Sequence, residues 1–164
     1  MSVRFSPSPQ DSSSIEQIRS CLAESGLVAT NQRVEIAQYL LCEADHPTAA
    51  EVLVAVRGRL PSVSQATVYN TLRALVTSGI AKEVRSAKGA LRYDGNVGAH
   101  HHLLDTHTGQ LIDIPLDEIQ IANLDELEKK YNVNRVCVVL EGSVRSHSTS
   151  RSTQDNINPT SNGE

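Results

Sequence analysis

Residues 95–99, Gly-Asn-Val-Gly-Ala, divide this chain into two patterns that no single element can share. Upstream, apolar residues mostly recur every three or four positions, the helical period. Downstream, they alternate around a histidine run, the strand period. The break itself offers neither a stripe nor a face, so it reads as a hinge between two small units.

The first unit spans 15–94. Ile15, Ile18 and Leu22 form one helical stripe, which Gly26 can end. Gln32–Cys42 reads as a second helix, capped by Thr30 or Asn31. Thr48 can cap a third, Ala49–Gly58, and Ser64 a fourth, Gln65–Ser78, with Val68, Leu72 and Leu75 inward and Gly79 at its end. A hairpin follows: Ile80–Arg85, a turn at 86–89, and Ala90–Asp94. The second unit, 100–142, reads as strand (His100–Asp105), strand (Gln110–Ile114), helix (Asn123–Tyr131, Leu124 and Leu127 inward) and strand (Val133–Glu141, one face deeply buried). The fold class is α/β in the broad α+β sense. Residues 1–14 are rich in Ser and Pro, and 143–164 in Ser, Thr and Asn, so both are expected as disordered tails.

Helices ending in a two-stranded wing fit a winged helix-turn-helix. Its fourth helix would enter the major groove. That helix presents Gln65, Thr67, Tyr69, Asn70 and Arg73, with Ser64 at its start. Arg pairs with guanine, Asn and Gln with adenine, and hydroxyls with phosphate. Arg33 on the second helix and Lys82 on the wing join the DNA-binding set, and Arg85 and Lys88 are further wing cations. The plainer alternative is a solvated polar face on an amphipathic helix, with Tyr69 as a packing residue. Net charge is −4, but it is divided unevenly: +1 over residues 1–89 and −5 over 90–164. A local basic face on the first unit is compatible with that division.

His100-His101-His102 carries the chemistry of the second unit. On a strand, His100 and His102 point one way and His101 the other. Asp113 lies across the predicted hairpin, Asp94 just before the hinge, and His46 before Pro47 in the first unit. Three imidazoles and two carboxylates without a thiolate suit Fe(II) or Mn(II), with Zn(II) as competitor. Individually, His46, Asp94 and Asp113 read equally well as loop or surface residues. His107 reads as an exposed turn residue, and either it or His101 is open as a ligand for a second metal. Two His and a carboxylate also form the facial triad of iron oxygenases, but residues 100–142 are too few to enclose a substrate. The three cysteines, Cys21, Cys42 and Cys137, read as small buried hydrophobes, with no disulfide framework and the cytoplasm as the expected compartment. No apolar run approaches the roughly 20 residues of a membrane span.

Over about 15–142 the chain resembles the ferric uptake regulator (Fur) family. Four segments carry the resemblance: Thr30-Asn31-Gln32-Arg33; His46-Pro47-Thr48-Ala49; Ala66-Thr67-Val68-Tyr69-Asn70-Thr71-Leu72; and His100-His101-His102 followed by Gly109 and Asp113. The resemblance implies a homodimeric, metal-responsive repressor, not an enzyme, that binds palindromic double-stranded operator DNA. Its C-terminal α/β unit would be the dimerisation domain. It also implies a regulatory metal site at His46, Asp94, His100, His102 and Asp113. Asp at position 113, where iron-uptake members carry Glu, is similar to the peroxide-sensing PerR branch, in which Fe(II) chemistry oxidises a ligand such as His46 or His100. A plain iron-uptake repressor is one alternative. The family's two CxxC pairs are missing here, so no structural zinc held by four cysteines is expected. That absence and the triple His are shared with an Irr-like, haem-linked branch, the other alternative, although no Cys-Pro haem motif is present.

Overall fold

The computed structural model describes residues 12–85 and 90–144. Residues 1–11 and 145–164, most of the expected tails 1–14 and 143–164, and the wing turn at 86–89 with Lys88 lie outside the described residues. Helix α1 covers Ser12–Glu24, α2 Asn31–Gln38, α3 Ala49–Arg57 and α4 Gln65–Thr77. Strands β1 (Lys82–Val84) and β2 (Arg92–Asp94) form the wing. The second unit comprises β3 (His101–Asp105), β4 (Leu111–Ile114), α5 (Leu124–Lys130) and β5 (Val139–Gly142).

Local chemistry sets the helix starts. The Thr30, Thr48 and Ser64 hydroxyls each accept a hydrogen bond from the backbone N–H three residues on. Thr48 and Glu51 complete a reciprocal capping box. Gly26 (φ +75) and Gly79 (φ +78) take the left-handed backbone that ends α1 and α4. Ile18, Leu22, Val34, Ile36, Leu40, Val52, Val56, Val68, Leu72 and Leu75 are almost fully buried in one cluster, with Tyr93 closing it from the wing.

Several expectations need correction. Residues 12–14, assigned to the tail, begin α1, and Ser14 is buried. The second helix does not run unbroken to Cys42. It widens after Gln38 into a π-helical turn, Tyr39–Glu43, where the Ala44 N–H donates to the Tyr39 carbonyl. The last strand begins at Val139 rather than Val133, because β3 offers pairing partners only from there on. Leu127 is exposed rather than inward, and neither face of the last strand is deeply buried, with Val139 half-buried and Leu140 exposed.

The second unit is a three-stranded sheet of order β4-β3-β5, with β3 antiparallel to β4 and parallel to β5. Its interior is unusual. Leu111 is its one buried apolar side chain among the described residues, and the other buried ones are His100, His101, His102 and Asp105. Ile112, Leu116, Leu127, Tyr131, Leu140 and Val144 are exposed. So small a unit with so little apolar interior needs support from outside itself.

Candidate metal centre

Four parts of the chain deliver side chains to one point. His46 follows the π-helical turn, and its loop is laid along β2: the Tyr93 N–H donates to the Pro47 carbonyl, and Thr48 bridges Arg92. Pro47 disfavours the right-handed helical region for the residue before it. His46 adopts φ +49, which turns its ring toward the second unit. Asp94 ends β2. His100 and His102 lie on one face at the start of β3, and Asp113 sits directly opposite His102 on β4. His101 faces away, its Nδ1 accepting the Val138 N–H at 3.2 Å.

The donor atoms of His46, His100, His102 and Asp113 all lie within 4.8 Å of one another. His46 Nε2 is 3.0 Å from Asp113 Oδ1, and His100 Nε2 is 2.9 Å from His102 Nε2. Asp94 joins from the side, its Oδ2 3.1 Å from His100 Nε2 and 3.8 Å from His102 Nε2. The three imidazoles are at most 6% exposed.

Electrostatics favour ionised carboxylates beside a neutral His100. Burial pushes Asp113 up, but the His46 and Asn96 side chains and the nearby imidazoles outweigh it and hold the carboxyl well below its usual range. For Asp94, burial likewise raises the value, while His102, the Asn96 N–H and the neighbouring imidazoles bring the net shift downward. Burial lowers His100, against the opposing pull of Asp113 and Asp94. The Gly98 carbonyl lies 2.9 Å from His100 Nδ1 and can only accept, so that nitrogen carries the proton and Nε2 turns a bare lone pair on the cluster.

These residues fit a bound divalent transition ion. His46 Nδ1 and Nε2, Asp94 Oδ2 and Asp113 Oδ1 are buried without a hydrogen-bond partner, and all but Nδ1 face the cluster. Unpaired buried groups of this kind are costly unless a cation satisfies them. Imidazole nitrogens with carboxylate oxygens are the donor set of Fe(II), Mn(II) and Zn(II).

A sequence model of the ferric uptake regulator family matches residues 24–142. The chain belongs to this family. It is therefore a metal-responsive regulator, not an enzyme. The peroxide-responsive repressor PerR of Staphylococcus epidermidis is 30% identical over 131 residues, covering 75% of this chain and 87% of that protein. The Vibrio cholerae ferric uptake regulator structure, described by a rearrangement of its DNA-binding domains, superposes with a TM-score of 0.66. It is 25% identical and covers 77% of this chain and 98% of that one. The Pseudomonas aeruginosa regulator solved with manganese gives 0.58 at 25% identity, covering 77% and 97%. As in its Fur relatives, an N-terminal winged helix-turn-helix precedes a C-terminal α/β unit.

Of the DNA-reading candidates, Gln65, Tyr69, Asn70 and Arg73 are exposed along α4, with Ser64 exposed at its cap. Thr67 is half-buried against the Ser64 hydroxyl. Arg33 turns back to the Val28 carbonyl. Lys82 reaches the Gly98 carbonyl at 2.5 Å. His107 is exposed in the β3–β4 turn, as expected. Cys137, read as buried, is exposed, its Sγ 3.6 Å from His102 Nδ1. The sequence reading missed Asn96, Lys82 and Arg92 as parts of the centre, since their roles appear only when the loops meet. No helix among the described residues is long and apolar enough to cross a membrane.

Proposed function

We propose that this protein is a homodimeric, cytoplasmic repressor whose grip on palindromic double-stranded operator DNA is set by one divalent ion per subunit. The ion is held by His46, Asp94, His100, His102 and Asp113. The observation that carries this reading is that His46, from the DNA-reading unit, stands 3.0 Å from Asp113 of the other unit, inside one buried cluster. Ligation across that junction fixes the aim of the winged helix. In a twofold dimer, two α4 helices are then held about 34–36 Å apart or a multiple, the spacing of successive major-groove faces. Gln65, Thr67, Tyr69, Asn70 and Arg73 read the operator, with Ser64, Arg33 and Lys82 at its margins. The exposed apolar side chains of 112–144 support pairing of the second units.

The signal we assign is peroxide, with Fe(II) as the sensing ion, Mn(II) as a stable substitute and Zn(II) as competitor. Asp113 and the similarity to a peroxide-responsive repressor support this. Held by these residues, Fe(II) would supply the first electron toward O–O cleavage and the imidazole the rest, so that one peroxide oxygen would end on the ring and the other leave as water. His46 and His100 stand as oxygen acceptors, and an oxidised ring is a poorer ligand. The test is operator binding with Mn(II) or Fe(II), with and without peroxide, followed by peptide mass analysis. Loss of binding together with +16 on the His46 or His100 peptide of the Fe(II) form is the expected result. Oxidation confined to Cys137 refutes the histidine mechanism.

A further inference from the structure

The proposed centre has two carboxylates, and Asn96 touches both. Its backbone N–H donates to Asp94 Oδ1 at 2.7 Å, and its side-chain Nδ2 donates to Asp113 Oδ2 at 3.0 Å. The amide orientation is internally determined: Asn96 Oδ1 accepts the Gly98 N–H at 3.2 Å, which leaves the NH2 end for Asp113. Asp113 thus has one oxygen engaged by Asn96 and the other turned to the imidazoles, whereas Asp94 Oδ1, although engaged by the Asn96 N–H, also stands 3.8 Å from His46 Nε2. Asp113 Oδ1 stands 3.0, 3.4 and 3.9 Å from the Nε2 atoms of His46, His100 and His102. Asp94 Oδ2 stands 3.1 and 3.8 Å from those of His100 and His102.

We infer that Asn96 is a positioning residue that sets the denticity of the centre, making Asp113 a one-oxygen ligand. The inference rests on the metal-site reading above. A carboxylate free to swing can present both oxygens to an ion. One held by an amide on its far oxygen presents a single oxygen end-on. With one oxygen from each carboxylate, the three imidazoles complete five donors and leave room for a small sixth ligand. With Asp113 bidentate that room closes. Asn96 therefore selects for an ion that accepts five protein donors plus an exchangeable position, and it does so without touching the ion. Only the Asp113 contact depends on the Asn96 side chain. The Asp94 contact comes from the backbone and survives substitution.

The experiment titrates the full-length protein with Mn(II) alone, read by calorimetry, by electron paramagnetic resonance and by X-ray absorption of the bound ion. Removing such an outer partner weakens metal binding about 10–100-fold. Asn96→Ala is expected to do so and to add one light donor to the absorption fit as Asp113 swings bidentate. Asn96→Leu, close to Asn in size but with no donor, is expected to behave like Asn96→Ala. Asn96→Gln, which keeps an amide, is expected to recover most of the affinity and the wild-type spectrum. Affinity within twofold of wild type and an unchanged donor count in both Ala and Leu variants overturns the inference alone. A wild-type chain that binds no Mn(II), or binding untouched by His102→Ala, overturns the site assignment beneath it.

Discussion

Arg92 spans both units, so its replacement tests whether they are coupled apart from any ion. Nη1 donates to the His46 carbonyl at 2.9 Å, Nη2 donates to the Gly109 carbonyl at 2.7 Å, and Glu51 lies 3.4 Å away. Arg92→Met keeps the aliphatic stem and removes all three. Each charge-assisted bond contributes about 1.5–3 kcal/mol, and the exposed Glu51 pair about 0–1 kcal/mol. Relaxation of His46 from φ +49 returns about 1 kcal/mol. The net loss is about 2–6 kcal/mol. Re-forming the left-handed His46 backbone on metal binding then costs about 1 kcal/mol, a factor of roughly 5 in affinity. Urea unfolding of the metal-free protein by circular dichroism and a Mn(II) titration read the two effects. A stability change below about 0.5 kcal/mol with unaltered Mn(II) affinity refutes the reasoning.

Other outcomes follow from the same geometry. His46→Ala should reduce metal-dependent operator affinity roughly 5–150-fold, the usual range of such coupling, while gel filtration still shows a dimer; unchanged affinity denies the clamp between units. Gly95→Ala should destabilise by about 1–3 kcal/mol in a thermal melt, because the new Cβ would stand 2.9 Å from the Leu40 carbonyl oxygen and 3.0 Å from Leu41 Cδ2. A wild-type melting temperature would show that the loop has slack. Glu51 is held below its ordinary 4.5 chiefly by the Thr48 N–H, partly against burial, with help from the Thr48 hydroxyl and Arg92. A lowered value means this stabilisation is complete above about pH 4.5 and is lost as pH falls through the depressed value. Glu51→Gln should therefore flatten the acid side of the stability curve, and identical slopes count against the capping-box contribution.

How legible each feature was in the sequence depended on how local its cause is. Thr48 and Ser64 could be read as caps because a cap needs only residues within one turn. His100 and His102 share a face because strand geometry alternates, whatever the fold. Asp113 could be placed because a short hairpin fixes its register. The π-helical turn at 39–43 has no such local signature, and Gly95 must fit closely against Leu40 and Leu41 there. The Val-rich run at 133–138 has strand composition but no ladder partner, so composition misled. Residues 95–99 read as a free tether, yet Asn96 and Gly98 are fastened to Asp94, Asp113, His100 and Lys82. Glycines indicate permission to bend. They say nothing of what the backbone then meets.

The parallel pairing of β3 with β5 has a consequence for how the protein is made. The helical unit has its own core and can fold while synthesis continues. The strand bearing His102, however, gains its second neighbour only when residues 139–142 emerge, some forty positions later. A newborn chain therefore completes its helical core before the sheet that carries His102. Any truncation ahead of position 139 leaves β3 without its parallel neighbour.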